Sequence, residues 1–426
     1  MSETQRVSSF ASSAAFTVER VVAPVEGMHR VIAGRWINPL GSIGVPVRTA
    51  HEAITAAVYG SIRLGGSFVG AGLGLTNVIG SGTADSFQAL VNGLWGDALG
   101  RRRDRLEIPM GIRDRDGSPT AVGPELVAAF PAATGRIVVL VHGLFETERC
   151  WLGTEEEQGL TRVLEDHPSL TPVPIRYNSG LRVSDNGERL ASLLEDVHAE
   201  WPVPVQSIAL VGHSMGGLVI RSACEAARTA GHRWIDDLED IVTVAAPHRG
   251  SPLEKAANAV AWGLSIAQET RPLADFVNGR SVGIKDLRFG AIVEDDWKGI
   301  DPDALLLDTV GDHPLPPGVA HHVVAGVVTA NPTHPIGTIV GDFVVRPASS
   351  TGASHLDVTN VAILGGRNHF DLLNDPTVIE CVTDWLAPLE PDTPGASSPR
   401  VDPEHAGING GEVRPHGRDR PVRRVG

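Results

Sequence analysis

SIALVGHSMGGLVIRSACEAA, residues 207–227, decides how the rest of the chain is read. Its first half holds an apolar, strand-like run, Ile208 to Val211, bounded by a turn signal. Its second half, from Met215 on, is rich in Ala and Leu and contains no proline, as a helix requires. Between them stand Gly212, His213, Ser214, Met215 and Gly216, a Gly-x-Ser-x-Gly spacing. A strand that turns straight into a helix brings two backbones together, and side chains at the flanking glycine positions would collide. The serine is lifted onto a strained turn with its hydroxyl clear of both elements. The start of the helix directs backbone N–H groups at negative charge developing beside it. Ser214 is therefore the expected nucleophile, and Gly212, His213 and Gly216 form the elbow that presents it.

A second run upstream points the same way. Arg136 to Val141 is an apolar strand ending in His142, Gly143, Leu144 and Phe145. A His-Gly pair at the end of such a strand opens a loop whose backbone N–H can bind a carbonyl oxygen as it becomes an oxyanion. The expected donors are the N–H of Met215 and that of Leu144, with Phe145 the lesser candidate. Fixed backbone donors suit this work because they need no reorganisation when the charge forms. Serine also needs a base to take its proton, and histidine held by a carboxylate is the usual one. In chains built around such an elbow the acid and then the base follow the serine. Of His334, His355 and His369, the last is favoured, because NVAILGGRNHFDLL gives a strand, a Gly-Gly-Arg-Asn turn and then the histidine. Asp342, in IVGDFVVRPAS, is preferred as the acid over Asp312 and Asp357, since it lies on a loop leading away from the preceding strand.

Around these motifs, short β-branched runs alternate with amphipathic helices from about 105 to 390, the pattern of a mostly parallel sheet with helices on both faces. The clearest strands are Ile137 to Val141, Pro174 to Tyr177, Ser207 to Val211, Ile241 to Ala245, His322 to Val328 and Val358 to Leu364. A helix from about Asn186 to Trp201 presents Leu190, Leu193, Leu194 and Val197 on one face. The long connection of about 252–318 reads as a helical cap over the nucleophile, its helix near Pro252 to Ile266 carrying Ala257, Val260, Ala261 and Leu264. Residues 31–104 read as a glycine-rich helical extension: Ile54, Val58 and Ile62 recur at helical spacing, as do Phe87, Leu90, Val91 and Leu94. Gly66, Gly70 and Gly74 lie four apart, which lets helices approach closely. Packing on the main domain or a second subunit is the preferred reading, and membrane contact the other. Residues 1–30 and 391–426 are polar or rich in Pro, Gly and charge, and are expected to be disordered.

Composition narrows the function. The formal net charge of -15 argues against nucleic acid and against a broad grip on anionic membranes. Cys150, Cys224 and Cys381 are odd in number and far apart, so neither a disulfide framework nor a zinc site is expected. MSETQRVSSFASSAAF lacks the basic flank and apolar core of a signal peptide, so a cytoplasmic protein is expected, with membrane association through the helical extension left open.

Taken together, VLVHGLFETERCW, GHSMGGLVIRSA, TVAAPHRGSPLEK, SVGIKDLRFGAIVEDDW, GDFVV and NHFDLLNDP resemble the bacterial lipase-like α/β-hydrolases related to the PGAP1-like and triacylglycerol lipase groups. The resemblance covers about 105–390. It implies an α/β-hydrolase fold and an esterase or lipase acting on an acyl ester or lipid, with Ser214, Asp342 and His369 as triad and neither cofactor nor metal. Such lipases often carry Gly-Asp-Gly at the acid, where this chain has Phe343 as the third residue. An acyltransferase with the same triad, or a non-catalytic binding protein, are the alternatives.

Overall fold

The computed structural model describes residues 22–34, 81–153, 158–265, 271–301, 310–352, 356–387 and 424–425, with isolated positions at 20, 48, 52, 55, 59 and 303. Its strands are β1 (Gly111–Arg113), β2 (Pro119–Thr120), β3 (Arg136–Val141), β4 (Thr171–Arg176), β5 (Ser207–His213), β6 (Leu238–Val244), β7 (Ala320–Val327), β8 (Asn360–Gly365) and β9 (Arg424–Val425). They form one sheet in the order β2-β1-β4-β3-β5-β6-β7-β8-β9. β1 is antiparallel to β2 and β4, and all other neighbours are parallel. The six expected strands are all present.

The parallel strands are near-continuous apolar runs because both faces of the sheet are covered. Along β3, Ile137, Val139 and Val141 join a core with the helices α5 (Val183–Glu200) and α6 (Met215–Ala230), numbered after α1 (22–34), α2 (Ser81–Arg102), α3 (Pro124–Ala129) and α4 (Leu160–Glu165). Val138 and Leu140 join the opposite core with α4 and the last helix. On α5, Leu190, Leu194 and Val197 are buried and Leu193 packs at the edge, as their spacing predicts. Each such buried side chain contributes about 1.5 to 3 kcal/mol.

Between β6 and β7 come α7 (Pro252–Ser265), α8 (Arg271–Asn278) and α9 (Val282–Asp286), the helical connection expected there. Of the apolar residues expected along α7, Ala261 is buried, while Trp262 beside it is exposed. The chain closes through α10 (Pro335–Val340), α11 (Pro347–Ser350) and α12 (Pro376–Leu386).

Three expectations change. Residues 22–34 are helical, so the disorder expected for 1–30 does not extend over 22–30; Val22 and Glu26 are buried there. In α2 the buried side is Val91, Trp95, Ala98 and Leu99, while Phe87 and Leu90 of the expected stripe are exposed. In the tail, Arg424–Val425 pairs with β8. Apart from position 20, the other residues of 1–30 and 391–426, the Ile54, Val58 and Ile62 repeat and the Gly66, Gly70 and Gly74 series lie outside the described residues.

The topology also places the site. From β3 the chain moves to β4 on one side and then returns to β5 on the other. Where strand order reverses, a crevice opens beyond the carboxyl ends of the strands, and ligands bind there. The His-Gly loop leaves β3 and the elbow leaves β5, and Val141 is paired with Gly212, so both expected motifs emerge side by side at this point.

Candidate active site

β5 ends at His213 and α6 begins at Met215, so Ser214 alone makes the turn, with φ 51 and ψ -120. A non-glycine residue held this way costs about 1 to 3 kcal/mol. The flanking glycines are required by close backbone approach. A Cβ on Gly216 would stand 2.3 Å from the Val141 carbonyl oxygen, and one on Gly212 would stand 2.7 Å from the Gly216 carbonyl carbon.

Ser214 Oγ lies 2.9 Å from Nε2 of His369, on the loop after β8. Nδ1 of His369 lies 2.7 Å from Oδ2 of Asp342, on the loop after α10. With a carboxylate at Nδ1, that nitrogen carries the proton and Nε2 is free to accept the serine hydroxyl hydrogen. Oδ1 of Asp342 accepts the N–H groups of Val344 at 2.9 Å and Val345 at 2.7 Å, which fixes the carboxylate. The His369 N–H donates to the Asp342 carbonyl at 3.1 Å, joining the two loops a second time. Asp342 is fully buried, and Ser214 and His369 retain only 6% and 4% exposure. Phe343 has φ 78, a left-handed conformation that glycine adopts freely. The rival residues stand elsewhere: Asp312 and Asp357 are exposed, His334 caps α10 by accepting from the Ile336 N–H, and His355 lies outside the described residues.

At the expected oxyanion site, the N–H groups of Leu144 and Met215 make no hydrogen bond among the described residues. The neighbouring N–H groups are occupied: that of Gly143 donates to Glu146 at 2.6 Å and that of Phe145 to Ser179 Oγ at 3.4 Å. Leu144, between two occupied neighbours, thus has a donor to spare.

Two parts of the site escaped the sequence reading. Glu146 packs against His213 with its carboxylate 3.0 Å from Nδ1. And α2 is built into the site wall. A Cβ on Gly93 would stand 2.1 Å from Phe145, whose own φ is 65. The Gly93 and Leu94 carbonyls accept from Ser281, the cap of α9, at 2.6 and 2.7 Å. Asp85 of α2 binds Arg149 at 2.7 Å and Arg176 at 3.0 Å, and Arg176 also holds Glu148 at 2.5 Å. The concave surface lined by Arg103, Glu107, Met110 and Arg189 contains none of these site residues. No group of side chains suited to holding a metal ion occurs among the described residues. Nor is any of their helices long and apolar enough to cross a membrane.

A mostly parallel sheet with an antiparallel edge, a serine on the turn after β5 and an acid and a histidine on later loops define an α/β-hydrolase fold. Residues 183–304 match the model of the PGAP1-like α/β domain, a match that begins at α5 and ends before β7. Among solved structures the chain is similar to the mature lipase of Bacillus licheniformis, at 17% identity and a TM-score of 0.39, covering 66% of this chain and 99% of that one. It is similar to a lipase-esterase related protein of Clostridium acetobutylicum, at 16% identity and a TM-score of 0.34, covering 60% and 96%. A phospholipase of Legionella pneumophila is similar at 16% identity and a TM-score of 0.36, covering 59% of each chain. No curated protein matches the sequence.

Proposed function

We propose that the protein is a serine hydrolase of carboxylic esters that works through an acyl-enzyme. The observation that carries this reading is the unbroken series Ser214 Oγ, His369 Nε2, His369 Nδ1 and Asp342 Oδ2, with contacts of 2.9 and 2.7 Å. Nothing in folding requires a nucleophile, a base and an orienting acid to meet in a strained turn at a topological switch point.

His369 takes the hydroxyl proton as Ser214 Oγ attacks the ester carbonyl carbon. The carbonyl oxygen becomes an oxyanion, stabilised by the N–H groups of Leu144 and Met215 and by the start of α6. Asp342 holds the imidazole in the required tautomer and stabilises its charged form. His369 returns the proton to the departing alkoxide oxygen, and the ester C–O bond breaks. A water then attacks the acyl-enzyme, giving its proton to His369, which returns it to Ser214 Oγ as the bond between Oγ and the acyl carbon breaks and the carboxylic acid departs. No cofactor or metal is called for in this sequence.

The substrate we infer is an acyl ester with a substantial apolar part, such as a lipid. Phe343 and Phe370 each follow a triad residue in the chain and are 66% and 58% exposed, and Ile336 and Ile339 of α10 are exposed as well. These side chains would line the approach for an acyl chain.

The test is hydrolysis of p-nitrophenyl esters of increasing chain length, with Ser214→Ala alongside. Turnover in the variant should fall by about 10⁴-fold or more, and the wild-type rate should peak at long chains. Equal rates in both proteins would refute the nucleophile, and a peak at acetate would refute the apolar substrate.

A further inference from the structure

His213 and Glu146 take no part in those proton transfers, yet both are packed against the groups that do. The His213 ring is fully buried, and the Glu146 side chain is 9% exposed. Nδ1 of His213 lies 3.0 Å from Glu146 Oε2, and Nε2 lies 3.2 Å from the carbonyl oxygen of His369. A carboxylate and a carbonyl oxygen can only accept. Both ring nitrogens must therefore donate, and a histidine that donates twice is an imidazolium. The same Glu146 oxygen accepts the Gly143 N–H at 2.6 Å. A continuous series thus runs from the oxyanion loop through Glu146 and His213 to the backbone of the base. It is tightly packed: a Cβ on Gly143 would stand 2.9 Å from Glu146 Oε2 and 3.1 Å from both His213 Nδ1 and Ser214 Cβ.

We propose that Glu146 and His213 form a buried ion pair that fixes the oxyanion loop, the elbow and the base loop relative to one another, making both of them positioning residues for the reaction. This rests on the ester-hydrolysis reading above. Three loops from different strands must hold Leu144, Ser214 and His369 in register, and misplacement by about 1 Å can cost 10²-fold in rate. The pair links all three without touching the reacting atoms.

The surroundings are consistent with the charge. Burial pushes His213 toward its neutral form, but Glu146 outweighs that and holds its pKa above the usual histidine value, with support from the His369 carbonyl and Asp342. Burial likewise pushes Glu146 up, and His213 and the Gly143 N–H bring it below the usual carboxylate value. The His213 ring also faces the His369 ring at 4.8 Å and the edge of Trp151 at 6.4 Å. Glu146 further faces His142, which burial keeps neutral, and Cys150, whose thiol is kept protonated by burial and by Glu146 itself. The pair therefore breaks as pH rises through the elevated value of His213, or as it falls through the depressed value of Glu146.

Glu146→Gln tests this in the full-length protein. The amide oxygen can still accept from Gly143, but without the carboxylate the ion pair is lost and His213 becomes neutral. On p-nitrophenyl esters kcat should fall by about 10- to 100-fold with KM little changed, and labelling of Ser214 by a fluorophosphonate should slow in parallel. The alkaline limb of the kcat profile should move to lower pH. In ¹⁵N-histidine spectra of the wild type at pH 7, both His213 nitrogens should be protonated, the signals being assigned by their loss in His213→Asn; this readout does not depend on any variant keeping its activity. An unprotonated His213 nitrogen in the wild type, or wild-type kcat in Glu146→Gln, would overturn the positioning role. A wild type inert toward esters and fluorophosphonate alike would overturn the hydrolase reading, and the role built on it.

Discussion

At Ser214, positive φ and burial combine to hold a hydroxyl where it can act. The site's remaining geometry makes the contribution of each neighbour separable. Asp342 uses Oδ1 for the Val344 and Val345 N–H groups and Oδ2 for His369, so its two oxygens do different work. Asp342→Asn can keep the backbone bonds through its carbonyl while presenting an N–H to the imidazole. That favours the wrong tautomer, and kcat should fall by about 10³- to 10⁴-fold with the melting temperature little altered, a split that steady-state kinetics and calorimetry would read. Ser214, His369 and Asp342 were legible because each belongs to a local pattern, a turn after a strand or a loop in known order. Glu146 was not, because its meaning arises only when the fold brings it to His213, 67 residues further along. A carboxylate three residues past the Gly of the His-Gly pair is the signal that was available. The left-handed conformation of Phe343 was likewise invisible.

Among the elements, α2 departs furthest from what the sequence suggested. Its apolar residues lie on several sides, so periodicity could not select the buried face, and tertiary packing chose Val91, Trp95, Ala98 and Leu99. Asn92, fully buried in mid-helix, uses its side chain to accept from Ile108 at 3.0 Å and donate to Leu106 at 2.6 Å, stitching the following segment back onto the helix. The β1–β2 hairpin was missed for a simpler reason. Strands of three and two residues carry no readable alternation, and the turn between them is set by Asp114 accepting from Asp116 and Ser118. The role of α2 as a wall of the site can be tested at Gly93. In a helix interior, Gly→Ala ordinarily stabilises by about 0.8 to 1 kcal/mol. Here the new methyl would meet Phe145, next to the Leu144 donor. Gly93→Ala should therefore lose about tenfold or more in kcat, by displacing the oxyanion loop, and Phe145→Ala in the same chain should restore part of it. Full activity in Gly93→Ala would show that the loop tolerates the displacement.

Over the whole molecule, buried histidines divide by their partners, and the division sets how stability depends on pH. His142 accepts the Tyr177 N–H at Nε2 and binds the Gly143 carbonyl at Nδ1, which only the neutral ring can do, and burial lowers its pKa. His248 is lowered well below the usual value by burial, with Arg221 and His321 adding to it. His321, bonded to Thr243 at 3.0 Å, is lowered to about 3, again chiefly by burial. Each of the three binds a proton near pH 6.5 only once unfolded, so acid favours the unfolded chain. Stability should fall as pH drops below about 6.5, by up to about 1.4 kcal/mol per pH unit for each histidine that stays neutral in the fold. His213 has the opposite sign: its raised pKa means a contribution that is present in acid and lost as pH rises through the folded value. His213 and His321 lie on β5 and β7, and His142 and His248 on the loops after β3 and β6, so the fold is squeezed from both sides and its stability should pass through a maximum. Urea unfolding between pH 5 and 9 would trace that curve. His321→Gln, whose amide can still bond Thr243 but cannot take up a proton, should flatten the acid limb by about one proton's worth of slope while leaving the alkaline limb in place. A flat midpoint from pH 7 to 5 in the wild type would mean that these rings open to solvent before the chain unfolds.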